Sequence, residues 1–382
     1  MPISAKKLDP NLMSRVKVQS SASLKLGCLI YVRNINTAKR ELAKRFNQQA
    51  IVGEYPFIDA IGLCATVPEL EYLADCTWVE YISGQVAVSA LLDKTRAILG
   101  IDELHDEGIC GQGVTAVVID TGAYPHLDIT LGHKRILKFK DFINNKSVPY
   151  DDNGHGTFVA GVLAGNGVVS NGKYGGIAPM ANIIVLKALD NLGQTETFTI
   201  LNAMQWVYEN KHRYKIKVVC MSFGSNPLPK NDPLIRGAES LWDSGIAVVC
   251  AGGNDGPAPN TIKSPGSSAK IITVGSAKYT DGHFNVADFS SRGPARNRVK
   301  PDLLAPGVDI TGTKNSTDFY TTMSGTSVST PFVAGVAALL YQKYPHYSPN
   351  QIKSLLLHTA IRLPCDPNSC GRGLLNPIDA IW

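Results

Sequence analysis

The chain has 382 residues, a formal charge of +5, 44% hydrophobic and 18% charged residues. That is enough chain for two domains with a substantial core, and the balance is that of a folded protein rather than a disordered one. Basic residues are scattered without an aromatic-interleaved stripe, and no run is long enough to cross a bilayer, so neither nucleic acid nor a membrane is expected as a partner. Met1 to Lys25 is polar and lacks the apolar core of a secretory signal, which predicts a cytoplasmic protein.

Residues 1–92 read as a small α+β domain. Gly27 to Val32 is a strand, and Asn36 is placed to cap a helix with Ala38, Leu42 and Phe46 on one face. Ala50 to Thr66 holds two strands around a turn at Pro56. Pro68 starts a second helix carrying Leu70, Leu73 and Ala74, and Val79 to Val88 is a last strand. The β-α-β-β-α-β order predicts a ferredoxin-like fold.

From Gly113, within residues 93–382, apolar strands alternate with amphipathic helices, which predicts an α/β doubly wound parallel sheet. The expected strands are Val114–Asp120, Asn182–Ala188, Val218–Phe223, Ala247–Ala251 and Ile271–Gly275. Helices are expected from Thr195 to Asn210, from Pro233 to about Gly245, and from Pro331 to Tyr341.

Three segments carry chemistry. Val117-Val118-Ile119-Asp120 is a buried strand ending in a carboxylate, at the sheet edge where parallel sheets bind ligands. Asn153-Gly154-His155-Gly156-Thr157 opens a small-residue helix with a side chain that titrates near neutrality and can shuttle a proton. Gly325-Thr326-Ser327 puts a hydroxyl where unpaired backbone N–H groups favour developing negative charge. Each has an ordinary reading as a turn or cap residue. Together they supply an orienting acid, a base and a nucleophile.

These segments, Val-Ile-Asp-Thr-Gly, Asn-Gly-His-Gly-Thr-Phe-Val-Ala-Gly and Met-Ser-Gly-Thr-Ser-Val-Ser-Thr-Pro, resemble the signatures of the subtilase family of serine proteases from about Gly100 onward. The chain order Asp, His, Ser is also the subtilisin order. Phe158 departs from the pattern, since many extracellular members have a second histidine there. The resemblance implies a subtilisin-like serine endopeptidase with Asp120, His155 and Ser327 as triad and Asn254 as oxyanion donor. It implies that residues 1–92 are a propeptide that occupies the active-site cleft, with a junction between about Val88 and Lys94. Protein or peptide substrates would lie between Asp190–Thr195, including Gly193, and Ser222-Phe223-Gly224, with Gly252 and Gly253 walling the primary pocket.

By local match Lys263 falls at the base of that pocket, where an ammonium would favour an acidic residue before the cut. Its head can also escape to water. His126-Leu127-Asp128-Ile129 is the nearest match to a segment where many subtilases bind calcium, so Asp128 is the one candidate ligand. Calcium needs six or more oxygens and the segment offers one convincing carboxylate, so a calcium site stays open while no cofactor is expected to be required. Of eight cysteines, only Cys365 and Cys370 are close in sequence, and a reducing cytoplasm would leave them as thiols. A rival reading is a catalytically silent subtilase-like regulatory or binding protein. A dinucleotide site is set aside because Gly108, Gly111 and Gly113 precede the strand rather than follow it. A lipase-type site is set aside because no Gly-x-Ser-x-Gly surrounds Ser327.

Overall fold

Every second residue of Leu26–Val32 is buried, the pattern of a strand with one face on a core. The computed structural model describes residues 7–9, 12, 25–84, 91–131 and 135–382, and the chain divides into two units, Met1–Ser89 and Ala90–Trp382. Of the expected junction, residues 88–90 lie outside the described set.

The first unit runs β1 (Leu26–Val32), α1 (Ile35–Ala43), β2 (Ile51–Tyr55), β3 (Ala60–Ala65), α2 (Val67–Asp75) and β4 (Val79–Gly84). Its strands are antiparallel in the order β2-β3-β1-β4, the arrangement of a ferredoxin-like sheet. Ile30, Leu42, Ile61, Leu63, Leu70 and Leu73 form the core. The cap of α1 is Asn34, which accepts from Thr37 N at 3.0 Å, rather than Asn36. Both asparagines fit the composition of a cap, and only the extended backbone at 34 decides between them.

The second unit begins with α3 (Leu91–Ile98) and α4 (Ile101–Asp106). Its sheet comprises β5 (Thr115–Asp120), β6 (Ile136–Asp141), β7 (Asn182–Lys187), β8 (Ile216–Met221), β9 (Ala247–Ala251), β10 (Ile272–Thr280), β11 (His283–Val286) and β12 (Leu303–Pro306). The order is β11-β10-β9-β8-β5-β7-β6, with β12 beside β10, and all pairs but β10–β11 are parallel. The strands β5, β7, β8 and β9 are almost wholly buried, as expected of a parallel sheet covered on both faces. Around them lie α5 (His155–Ala164), α6 (Thr197–Asn210) and α7 (Pro233–Asp243). A hairpin, β13 (Ile310–Thr313) with β14 (Tyr320–Met323), precedes α8 (Thr326–Lys343), and α9 (Pro349–His358) follows.

The long helix α8 is apolar on all sides, and its residues from Val328 to Tyr341 are buried, so it runs through the interior rather than over it. It begins at Thr326, five residues before the expected Pro331, and Ser327 therefore sits inside its first turn. Cys365 and Cys370 are joined as a disulfide with Cα atoms 6.3 Å apart, contrary to the expectation of free thiols. A short helical turn, Pro367–Cys370, brings the two together. No described helix is long and apolar enough to cross a membrane.

Candidate active site

The parallel register sets the stage. Asp120 ends β5 opposite Lys187 of β7, Ile119 pairs with Met221 of β8, and Met221 pairs with Cys250 of β9. Asp120, Ser222 and the Gly252–Asn254 segment thus leave one sheet edge from strands β5, β8 and β9. Adjacent strands lie about 4.8 Å apart, so β5 and β9 are about 10 Å apart across that edge, a gap an imidazole between them can bridge.

His155 opens α5, and its Nδ1 lies 2.7 Å from Asp120 Oδ1. The Asp120 side chain is fully buried, and the same oxygen accepts from Thr121 N at 2.8 Å. Burial alone would lower the pKa of His155. The Asp120 carboxylate, by charge and hydrogen bond, outweighs it, and with Asp151 holds the imidazole above its usual value.

Asp151 was not legible as part of the site. It is buried and accepts five hydrogen bonds: Thr121 Oγ1 at 2.9 Å, Asn153 N at 3.1 Å, Gly154 N at 2.8 Å, Thr157 N at 2.8 Å and Thr157 Oγ1 at 2.6 Å. It satisfies the open N–H groups at the start of α5 and places a second anion near His155. Thr121 Oγ1 also accepts from Gly156 N at 2.8 Å, tying the residue after Asp120 to the residue after His155. A Cβ on Gly156 would collide with Gly122 O, so only glycine allows this approach.

On the other side, Asn254 Oδ1 accepts from Thr326 N at 2.8 Å and from Thr326 Oγ1 at 3.0 Å. The bond from Thr326 N requires the oxygen to face Thr326, which sends Nδ2 the other way. A Cβ built on Gly325 would stand 3.0 Å from Ser327 Oγ and 3.3 Å from Asn254 Nδ2, so hydroxyl and amide face one small space that glycine leaves open. Thr326 Oγ1 further accepts from Gly253 N at 3.1 Å. Thr326 is thus more than the plain cap its motif suggests. Among the described residues the half-buried Ser327 hydroxyl has no hydrogen-bond partner, His155 included.

The expected substrate residues Asp190, Gly193, Ser222–Gly224 and Gly252–Gly253 lie on the segments that follow β7, β8 and β9. Asp190 Oδ1 accepts from Leu192 N and Gln194 N, both at 2.9 Å, closing a loop with Gly193 at its tip in a left-handed conformation. Ser222 and Phe223 follow β8. Gly224 and Gly253 both lie against the stem of Lys263, where a Cβ on either would come within 2.6 Å. Gly252 O accepts from Lys263 N at 2.8 Å. The Lys263 ammonium is paired with Asp255 and donates to Asn226 Oδ1 at 2.6 Å. Asp128 lies elsewhere: it is fully buried, and its oxygens accept from Val169 N at 2.9 Å and Tyr320 Oη at 2.6 Å. No cluster of three or more His, Cys, Asp or Glu suited to a metal occurs among the described residues. Phe158 is buried against Gly312, filling the core at that position.

The sequence model of the Subtilase family matches residues 111–375. The chain is 38% identical over 337 residues to serine protease AprX of Bacillus subtilis (strain 168), covering 81% of this chain and 76% of that one. It is 33% identical over 287 residues to subtilisin DY of Bacillus licheniformis, covering 73% and 94%. A solved structure, a cold adapted subtilisin-like serine proteinase, superposes with TM-score 0.58 at 32% identity, covering 70% of this chain and 88% of that one.

Proposed function

Because the chain belongs to the subtilase family and is a subtilisin-like serine endopeptidase, we propose that Asp120, His155 and Ser327 are its catalytic triad. Ser327 Oγ attacks the scissile carbonyl while His155 takes its proton and passes it to the leaving amine. Asp120 holds the Nδ1–H tautomer and steadies the imidazolium. Asn254 Nδ2 and the backbone N–H of Ser327 stabilise the oxyanion. Water then attacks the acyl-enzyme, His155 taking its proton and returning it to Ser327. The observation that carries this reading is the 2.7 Å His155–Asp120 contact on the sheet edge that also holds the oriented Asn254 amide.

The first unit is read as a propeptide made in line with the enzyme, which fills the cleft until it is cut off between about Val88 and Lys94. An organophosphate is expected to label the purified protein at one serine, Ser327, and N-terminal sequencing to place the mature start in that interval. An unlabelled protein would favour the silent regulatory reading instead.

The pH dependence follows from His155. Its raised pKa means that it stays protonated, and unable to act as base, above the usual histidine range. The acidic limb of kcat/KM is therefore expected at higher pH than an unperturbed histidine would give. The same proton stabilises the fold below the unfolded-state pKa, and that contribution is lost as pH rises through the folded value. Asp151→Asn removes one of the anions, so its acidic limb should move to lower pH. A limb that stays in place would remove Asp151 from the electrostatics of the site.

Lys263 is read as favouring acidic residues before the cut, but Asp255 already occupies its charge. A substrate carboxylate must compete with Asp255, which holds the preference to a few-fold. Asp255→Asn should raise the acidic-to-neutral ratio of kcat/KM about tenfold, a change of ~1.4 kcal/mol, on a peptide panel. Lys263→Gly should abolish the preference, and an unaltered ratio in both variants would disprove the reading.

A further inference from the structure

The loop 190–194 is held to the rest of the unit in two places, and both holds lead to the catalytic segments. At its base, Ala188 N and Leu189 N donate to Asp120 O at 2.9 and 3.2 Å. The fully buried Lys187 ammonium reinforces this joint, donating to Thr121 O at 2.6 Å, Leu189 O at 3.0 Å and Asp152 Oδ1 at 2.6 Å. At its tip the arrangement is different. Among the described residues, 191–193 form one hydrogen bond outside the loop itself, in which Asn153 Nδ2 donates to Asn191 O at 3.0 Å. The other end of the same amide, Asn153 Oδ1, accepts from the backbone N–H of His155 at 3.1 Å.

We infer that Asn153 is a positioning residue through which a peptide lying along loop 190–194 holds His155 in working alignment. The inference rests on the triad reading above and adds to it a route for remote binding energy. The base of the loop is fixed by a buried ammonium, whereas the tip hangs on one exposed amide and carries Leu192, 70% exposed, toward any chain laid beside it. A peptide that packs on Leu192 and orders the tip strengthens the Asn153–Asn191 bond. The amide is planar and rigid, so fixing its nitrogen also fixes the oxygen that receives His155 N–H. Binding far from the scissile bond is thereby expressed in the orientation of the base. It then appears in kcat rather than only in KM.

The test compares two substrates with the same residue before the cut and the same leaving group, one a single acylated residue and the other a tetrapeptide. In the wild type, lengthening should raise kcat. In Asn153→Ala, kcat for the tetrapeptide should fall about tenfold further than for the short substrate, removing most of that rise. Hydrogen exchange of the 191–194 amides should be faster in the variant. A rise in kcat on lengthening that survives in Asn153→Ala would overturn the inference. So would an equal loss on both substrates, the mark of a merely structural role, or a wild type whose kcat does not respond to length. Stoichiometric labelling of Ser327 by an organophosphate, run in parallel, separates this outcome from failure of the triad reading: a wild type that does not label would remove the parent reading itself.

Discussion

Ser327→Ala is expected to lower kcat/KM for peptide hydrolysis by roughly four to six orders of magnitude, the scale of loss when a serine triad loses its nucleophile. In the proposed triad, loss of Oγ leaves His155 no proton to move and Asp120 no imidazolium to stabilise, so the three should act as one unit. What survives is the contribution of Asn254 and of substrate positioning. Affinity for peptide should change little, because the removed oxygen is small and has no partner among the described residues. The folded state should be retained for the same reason. The variant also reports on maturation: its first 90 or so residues should remain attached, since the proposed cut needs an active site. Adding a small amount of wild-type enzyme should then release them. A Ser327→Ala protein that cleaves peptides within tenfold of wild type would end the assignment of this serine. One that is inactive yet fully processed when alone would instead move the processing step to another protease.

The sequence made the main lines of this site legible because they depend on short-range rules. A buried apolar strand that ends in Asp, a glycine-flanked His and a Gly-Thr-Ser segment each declare themselves within a few residues. What stayed hidden depends on partners distant in sequence. Asp151 looks like any loop acid until Thr121, thirty residues earlier, and Thr157 are seen to donate to it. Thr326 looks like a cap until Asn254, on another strand, is seen to need it. The start of α8 differs from the expected Pro331 for a local reason. Proline is favoured at the first helical position, so Pro331 imitates a beginning, whereas the helix has already made a turn before reaching it. The strand β6 carries a weak signal because Ile136–Asp141 alternates lysine with apolar residues at a sheet margin, without the continuous apolar run that marks β5 and β7. The disulfide turned on whether a short turn brings Cys365 to Cys370, which spacing alone does not say.

Removing the amide of Asn254 should be the second largest effect. Asn254→Ala is expected to lower kcat by about 10²–10³-fold, or ~2.7–4 kcal/mol of transition-state stabilisation, with KM nearly unchanged. The asymmetry arises because the ground-state carbonyl carries little charge, whereas the tetrahedral oxygen carries a full one. The proposed donor is effective only if it is already aimed, and Thr326 fixes the amide through two bonds to Asn254 Oδ1. Thr326→Val keeps the side-chain shape and the backbone N–H but removes the hydroxyl, leaving Asn254 with one anchor and Gly253 N without its acceptor. A loss of about tenfold in kcat is expected from this looser donor. Because Thr326 acts through Asn254, the two effects should not add: Asn254→Ala with Thr326→Val should be little worse than Asn254→Ala alone. Fully additive losses would mean that Thr326 serves the site by another path. A fall in kcat of less than tenfold for Asn254→Ala, or one seen mainly in KM, would show that the oxyanion is held by other groups.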